Sequence, residues 1–153
     1  METEKTIAAL NELVQINNDR IEGYRTASEE TEDFELKTFF SELKATSIQN
    51  NSELRAEVSG LGGEPTEETR TTGKFFRTWM DVKAALTGND RKLILDSCEY
   101  GEDVAKETYQ DTLSNENQNF SDSQLSMVRE QYHNLVADYD KVKSMHDAIS
   151  ETH

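Results

Sequence analysis

The stretch SDSQLSMVREQYHNLVADYDKVKSMHDAISE, residues 121–151, decides the fold, because its apolar and aromatic residues recur every three or four positions. This spacing places them along one stripe of a long helix. The stripe consists of Leu125, Val128, Tyr132, Leu135, Tyr139, Val142, His146 and Ile149. Ser121 or Asp122 is suited to cap the N-terminus of this helix. Because so narrow a stripe has to be buried against other helices, the stretch predicts a helical bundle.

Three further segments show the same periodicity. They run from about Thr3 to Glu30, from Asp33 to Gly60 and from Asp90 to Leu113. The four segments are similar in length, and the chain has no Pro-, Gly- or Ser-rich stretch that would serve as a linker between domains. The sequence therefore predicts an all-α fold, an antiparallel four-helix bundle that forms a single domain over residues 1–153.

The connection between the second and third helices leaves two topologies open. The motif LGGEP, residues 61–65, ends the second helix, since glycine permits a left-handed cap and proline cannot continue the helix. A shorter amphipathic segment follows around Trp79. It is either a separate short helix inside a long, ferritin-like crossover or the start of a kinked third helix that forms a direct hairpin with the second. The hairpin is the topology we expect.

The charge of the chain excludes several classes of partner. Lys and Arg number 16 against 31 Asp and Glu, which gives a net charge of −15. Such a surface repels phosphate backbones and anionic lipids, so we expect neither a nucleic acid nor a membrane partner. The single cysteine, Cys98, cannot form an internal disulfide, and the N-terminus has no apolar signal segment. These features predict a soluble protein of the reducing cytoplasm.

Several short motifs resemble a bacterial family of uncharacterised ferritin-like four-helix-bundle proteins. They are Gly23-Tyr24, the LGGEP motif, the segment from Trp79 to Thr87, and Glu99-Tyr100-Gly101-Glu102-Asp103 with Tyr109. The resemblance implies a ferritin-like bundle in a bacterial cytosolic setting. It implies no activity, because the family has none assigned.

A di-iron centre of the ferritin type needs a Glu from each of two helices and a Glu-x-x-His from each of the others. The one such motif here, Glu130 to His133, points outward when the Tyr132/Leu135/Tyr139 stripe defines the inward direction. On the first helix, Asp19 and Glu22 are also expected to face outward. We therefore expect no metal and no other cofactor; the alternative ligand set is Glu99, Glu102 and His146.

Polar residues interrupt the apolar stripes near the midpoints of the helices. They are Asn17, Ser47, Asn50 and Glu102, with Tyr139 of the fourth helix expected at the same level. One interpretation is a hydrogen-bonded layer that fixes the register of the helices. The other is a small polar cavity for a small-molecule ligand, whose identity the sequence does not give, or for a single cation.

No group of residues predicts a catalytic site. Cys98 lies on an apolar stripe without a neighbouring His, so we expect an inert buried thiol. Serine and histidine do not form a nucleophile arrangement. The function the sequence favours is that of a non-enzymatic bundle, with a degenerate ferritin-type metal centre, that acts through its surface or by self-association. The alternative is a divergent ferritin-like protein of metal or oxygen chemistry with an unorthodox site.

The Trp79 segment predicts a homodimer. Phe75 and Phe76 form one apolar ridge and Trp79 and Met80 another, and one short helix cannot bury both ridges against its own bundle. Light scattering should therefore show a dimer at high micromolar concentration. A monomer under those conditions would contradict the prediction.

Overall fold

The computed structural model describes residues 2–67 and 90–152, and this part of the chain is helical apart from short connections. The helices are α1 (Glu2–Glu30), α2 (Phe34–Gly60), α3 (Arg91–Asn115) and α4 (Asp122–Thr152), with a 3-10 turn at Asn117–Asn119. The predicted all-α class is confirmed. Phe75, Phe76, Trp79 and Met80, the predicted dimer segment, lie outside the described residues. Within the described ranges, no helix is both long and apolar enough to cross a membrane.

Side-chain caps mark where the later helices begin. The carboxylate of Asp90 accepts a hydrogen bond from the Leu93 amide at 3.2 Å, and Asp33 caps α2 in the same way. At the start of α4, the Ser121 hydroxyl accepts from the Gln124 amide at 3.1 Å, and the Gln124 side chain accepts from the Ser121 amide at 2.8 Å. This reciprocal pair is a capping box.

The start of α3 corrects the expected topology. Asp90 has an extended backbone, with φ −98° and ψ 102°, so α3 begins immediately after it. Gly63, just after α2, packs against Ile7 near the start of α1. In contrast, Arg91 forms ion pairs with Asp33, at 3.5 Å, and with Glu35, at the start of α2. The expected hairpin between the second and third helices is therefore wrong.

Contacts between the helices give their directions. Arg20 contacts Ser47 while Asn17 contacts Asn50, so α1 and α2 run in opposite directions. The α3–α4 pair is likewise antiparallel. Gln110, late in α3, donates to Tyr132 in the first half of α4, whereas Glu99, early in α3, contacts His146 in the second half. Since α2 and α3 both begin at the end that holds Arg91, these two helices are parallel. The end of α2 and the start of α3 therefore lie at opposite ends of the bundle, about 40 Å apart, the length of α2.

The apolar core is divided into two clusters. The cluster at the Ile7 end contains Leu10, Leu13, Val14, Leu54, Val58, Tyr109, Val128 and Leu135. The cluster at the Arg91 end contains Tyr24, Leu36, Phe40, Leu43, Ile94, Leu95, Cys98 and Val142. Buried polar residues lie at the level between the two. The fold thus places a polar layer at the middle of the bundle.

Gly62 ends α2 in a left-handed conformation, with φ +88°. Its amide donates to Ser59 O and the Gly63 amide donates to Val58 O, both at 3.0 Å, which is the Schellman pattern. We expect Gly62→Ala to lower the free energy of unfolding by about 1 kcal/mol, because a side chain is strained at this φ.

Gly60→Ala is the matched control in a urea unfolding experiment. Gly60 lies inside the last turn of α2, and an added Cβ there would have no atom within 4 Å. This variant should gain about 0.5–1 kcal/mol through helix propensity. Equal effects of the two substitutions would contradict the left-handed cap.

Candidate functional site

The centre of the polar layer is the guanidinium of Arg20, whose side chain is 1% exposed. Its Nε and Nη2 donate to the two carboxylate oxygens of Glu102 on α3, at 3.0 and 2.6 Å. Nη2 also donates to Asp138 Oδ2 on α4 at 3.1 Å, and Nη1 donates to the Ser47 hydroxyl on α2 at 2.5 Å. One side chain of α1 therefore bonds to all three other helices.

Tyr24 completes the surroundings of Glu102. It lies one helical turn beyond Arg20, and its hydroxyl donates to Glu102 Oε1 at 2.7 Å. Burial raises the pKa of Tyr24 well above its ordinary value, and the negative charge of Glu102 raises it further. The tyrosine therefore stays neutral and acts as a hydrogen-bond donor to the carboxylate.

The charge of Arg20 is secured by its partners. Burial by itself lowers the pKa of the guanidinium, but the charge and hydrogen bonds of Glu102 together with the other neighbours, Asp138 among them, outweigh that effect and raise the pKa. The geometry is also bidentate, which is the strongest arrangement of this pair. Arg20, Glu102 and Asp138 are thus a buried ion cluster of one cation and two carboxylates.

A second branch of the network runs from Ser47 through amides. The Ser47 hydroxyl donates to Asn17 Oδ1 at 2.7 Å, and Asn17 Nδ2 donates to the Tyr109 hydroxyl at 2.8 Å. Tyr109 in turn donates to Gln131 Oε1 on α4 at 2.8 Å. Because these groups are neutral and fully buried, their hydrogen bonds replace the water that they lose on folding.

The network reaches the surface at the α2–α4 contact. Gln131 Nε2 donates to Glu53 Oε1 at 2.9 Å, and Glu53 is exposed. Asn50 joins by donating to Asn17 Oδ1 at 3.3 Å, while its own Oδ1 has no hydrogen-bond partner within the described ranges. The side-chain carbonyl of Asn50 is thus an unsatisfied atom of the layer, whereas its backbone carbonyl accepts from Gln131 Nε2 at 3.4 Å.

The structure brings together Asn17, Ser47, Asn50 and Glu102, four of the five residues expected in the polar layer. The fifth, Tyr139, is not part of it. Tyr139 is half-buried at the edge of the α3–α4 contact, with Lys106 Nζ 3.7 Å from the centre of its ring. The reason is helical phase: α4 turns Gln131, Leu135 and Asp138 to the core.

Sequence reasoning missed Arg20, Asp138 and Gln131, which are buried in the layer. A signal for Arg20 was present, since it is three residues after Asn17 and four before Tyr24 and so shares their helix face. A second signal was chemical, because a buried Glu102 calls for a cation. Tyr132 and Tyr139 were used to define the inward face of α4, and this choice hid Gln131 and Asp138.

Of the alternative metal ligands, Glu102 is separated from Glu99 and His146. Glu102 is bound to Arg20, whereas His146 is half-buried nearer the Arg91 end. His146 Nδ1 lies 3.3 Å from Glu99 Oε2, and its Nε2 contacts Asp96. Among residues 2–67 and 90–152, no three His, Cys, Asp or Glu side chains are grouped so as to hold a metal ion.

The other residues considered as metal ligands or as a nucleophile are either exposed or buried. Glu130, His133 and Glu22 are exposed, whereas Asp19 is buried, so its expected outward position is wrong. Cys98 is buried, and burial together with the charge of Glu102 raises the pKa of its thiol. A thiol in this state is a poor nucleophile at neutral pH.

Among the layer residues predicted from the sequence, Glu102 should be the one whose loss destabilises the protein most. Glu102→Ala leaves the Arg20 charge with two of its four hydrogen bonds and should cost about 3–5 kcal/mol in urea unfolding. Glu102→Gln keeps one acceptor and should be about 1–2 kcal/mol less damaging. Glu107→Ala, at an exposed position of the same helix, is the control and should change little. Equal stability of the Ala and Gln variants would contradict the ionic role.

Buried tyrosines should make the fold sensitive to alkali. The pKa of Tyr24 is above the ordinary value of 10.0 in the folded state, mainly because the ring is buried. Its stabilising contribution is therefore complete below pH 10 and is lost as the pH rises above that value. The free energy of unfolding should fall there by about 1.4 kcal/mol per pH unit for this group.

Urea unfolding at pH 9 to 11 measures this slope. Tyr24→Phe should be less stable at neutral pH but lose less stability between pH 10 and 11 than the unsubstituted protein. Tyr100→Phe, a change of a half-exposed ring, should leave the slope unaltered. An unchanged slope in Tyr24→Phe would be evidence against a buried hydroxyl.

Comparison with protein families gives a match for residues 5–115, which is more than half of the chain, to a family described as Domain of unknown function (DUF2383). The match includes Asn17, Arg20, Ser47 and Glu102 and ends at the last residue of α3. A comparison with curated proteins found no match. The chain therefore belongs to the DUF2383 family, whose function is unknown.

Proposed function

We propose that this protein is a non-enzymatic helical bundle, ferritin-like in architecture, that acts through its outer surface. Its centre is a degenerate metal site in which the guanidinium of Arg20 takes the place of a metal cation. The observation that carries this proposal is the set of four hydrogen bonds from Arg20 to Glu102, Asp138 and Ser47.

The directions of the helices support the ferritin-like part of the proposal. Ferritin-like bundles have one long connection, which makes the second and third helices parallel. Here α2 and α3 both start at the Arg91 end, so the end of α2 and the start of α3 lie at opposite ends of the bundle. The central carboxylates lie at mid-height, where bundles of this type bind metal between facing helices.

The residues at the centre do not fit iron. A ferrous ion would need the oxygens of Glu102 and Asp138, but these accept hydrogen bonds from a guanidinium that cannot lose its charge. A metal ion at that point would also be repelled by Arg20. The other layer residues offer neutral amides and hydroxyls, which cannot offset the charge of two metal ions.

The first test is iron binding by protein purified without a metal-affinity column. Anaerobic ferrous titration followed by air should give no saturable absorbance of an oxo-bridged product, and metal analysis should find no stoichiometric iron. A saturable signal that Glu102→Gln abolishes would instead establish the metal and oxygen chemistry that the sequence left as an alternative.

The second test asks whether the guanidinium is the central cation. Arg20→Ala should lose about 3–5 kcal/mol of stability, because two buried carboxylates lose their counter-ion. Free guanidinium at millimolar concentration should restore part of that loss, relative to sodium chloride at the same ionic strength. Arg25→Ala, an exposed site on the same helix, should show neither effect. Absence of any specific recovery would count against this role for Arg20.

A further inference from the structure

The outward face of α2 is uncharged over most of its length. Its residues are all exposed: Phe34, Thr38, Ser41, Ala45, Ile48 and Ser52. This stripe stands out in a chain in which 31% of residues are charged. Its two large apolar members are well exposed, Phe34 at 82% and Ile48 at 50%.

The spacing of the stripe is that of a coiled-coil seam. Its positions are separated by four, three, four, three and four residues, which is the alternation of a seven-residue repeat. In heptad terms, Thr38, Ala45 and Ser52 occupy a positions, and Phe34, Ser41 and Ile48 occupy d positions. The helix is already folded by its inner face, so a partner on this seam would not need to drive folding.

Charged residues border the seam with opposite signs on its two sides. The g positions hold Lys37 and Lys44, and the e positions hold Glu35 and Glu42. Lys37, Lys44 and Glu42 form no ion pair within the described part of the chain. Two positive and two negative side chains balance locally, although the whole chain carries −15. The net negative charge of the chain therefore opposes association little along this face.

We propose that α2 is a homodimer interface, in which the seam of one copy packs in parallel against the same seam of a second copy. The charge pattern selects both the occupant and the direction. In a parallel pair, g residues face e residues of the partner, so Lys37 meets Glu42 of the second copy twice, by symmetry. In an antiparallel pair, lysine faces lysine and glutamate faces glutamate.

Small side chains give this interface a close approach. Serine, threonine and alanine occupy four of the six seam positions, which allows an interaxial distance near the lower end of the range of about 8–10 Å. Phe34 and Ile48 supply the apolar area. The contact is short, so we expect a dissociation constant on the order of micromolar.

The dimer interface rests on the proposed function in one respect: in both, the protein acts through contacts at its outer surface. Iron binding would overturn the proposed function and leave the dimer test unaffected. Conversely, loss of the α2 interface would leave the ionic centre as it is.

Sedimentation equilibrium over a concentration series tests the interface on the full chain. Ile48→Glu should raise the dimer dissociation constant at least tenfold. Leu93→Glu is the matched control, since Leu93 is 51% exposed on α3, and it should have no effect. A monomeric protein at hundreds of micromolar, or equal effects of both variants, would overturn the proposal. So would a dimer that survives Ile48→Glu but is lost in Trp79→Ser.

A charge exchange tests the direction. Lys37→Glu should weaken the dimer severalfold by placing two glutamates opposite each other, and adding Glu42→Lys to the same chain should restore it. An antiparallel dimer has no such rescue, because residues 37 and 42 do not face each other in it.

Disulfide trapping gives an independent readout of the register. Thr38→Cys should form a disulfide between copies under mild oxidation, because equivalent a positions are adjacent in a parallel pair. Ala137→Cys, exposed on α4, is the control. Cys98 is buried and does not compete. A dimer that is sensitive to Ile48→Glu but gives no bond at residue 38 would overturn the parallel arrangement.

Discussion

The buried ion cluster of Arg20, Glu102 and Asp138 is the constraint on which the rest of the bundle depends. Removing a charged group from water costs several kcal/mol, and an unpaired charge in the core costs more than most single contacts can offset. The arrangement is tolerated because the guanidinium has four acceptors and Glu102 accepts three hydrogen bonds. These partners come from all four helices, so the cluster is satisfied only when every helix is in place.

This requirement explains how a chain with plain apolar stripes acquires one register. An apolar stripe accepts a neighbouring helix at several heights, since one leucine packs against another with little change in energy. Sliding α1 by one turn, however, would move Arg20 about 5 Å from Glu102 and leave both charges buried without a partner. The two apolar clusters supply most of the burial, and the layer between them specifies the alignment.

The sequence predicts features that depend on near neighbours and misses those that depend on partners across the bundle. Helix periodicity, the Asp90 cap and the stop at Gly62 are local, and they could be found from spacing. The polar interruptions at Asn17 and Glu102 could be found in the same way. Arg20 was overlooked because arginine is usually exposed; its spacing placed it on the face of Asn17 and Tyr24, but its ionic partner Glu102 lies on another helix.

The topology was mistaken for a related reason. A hairpin and a crossover give the same periodic pattern, and the difference lies in which helix ends meet. The ion pair of Arg91 with Asp33 and the packing of Gly63 on Ile7 decide between them, but each joins residues far apart in sequence. A cation that is part of the polypeptide cannot be exchanged or oxidised and reduced as a metal ion can. In the function proposed above, a bundle closed around Arg20 has alignment rather than reactive chemistry at its centre, and recognition occurs at its outer faces.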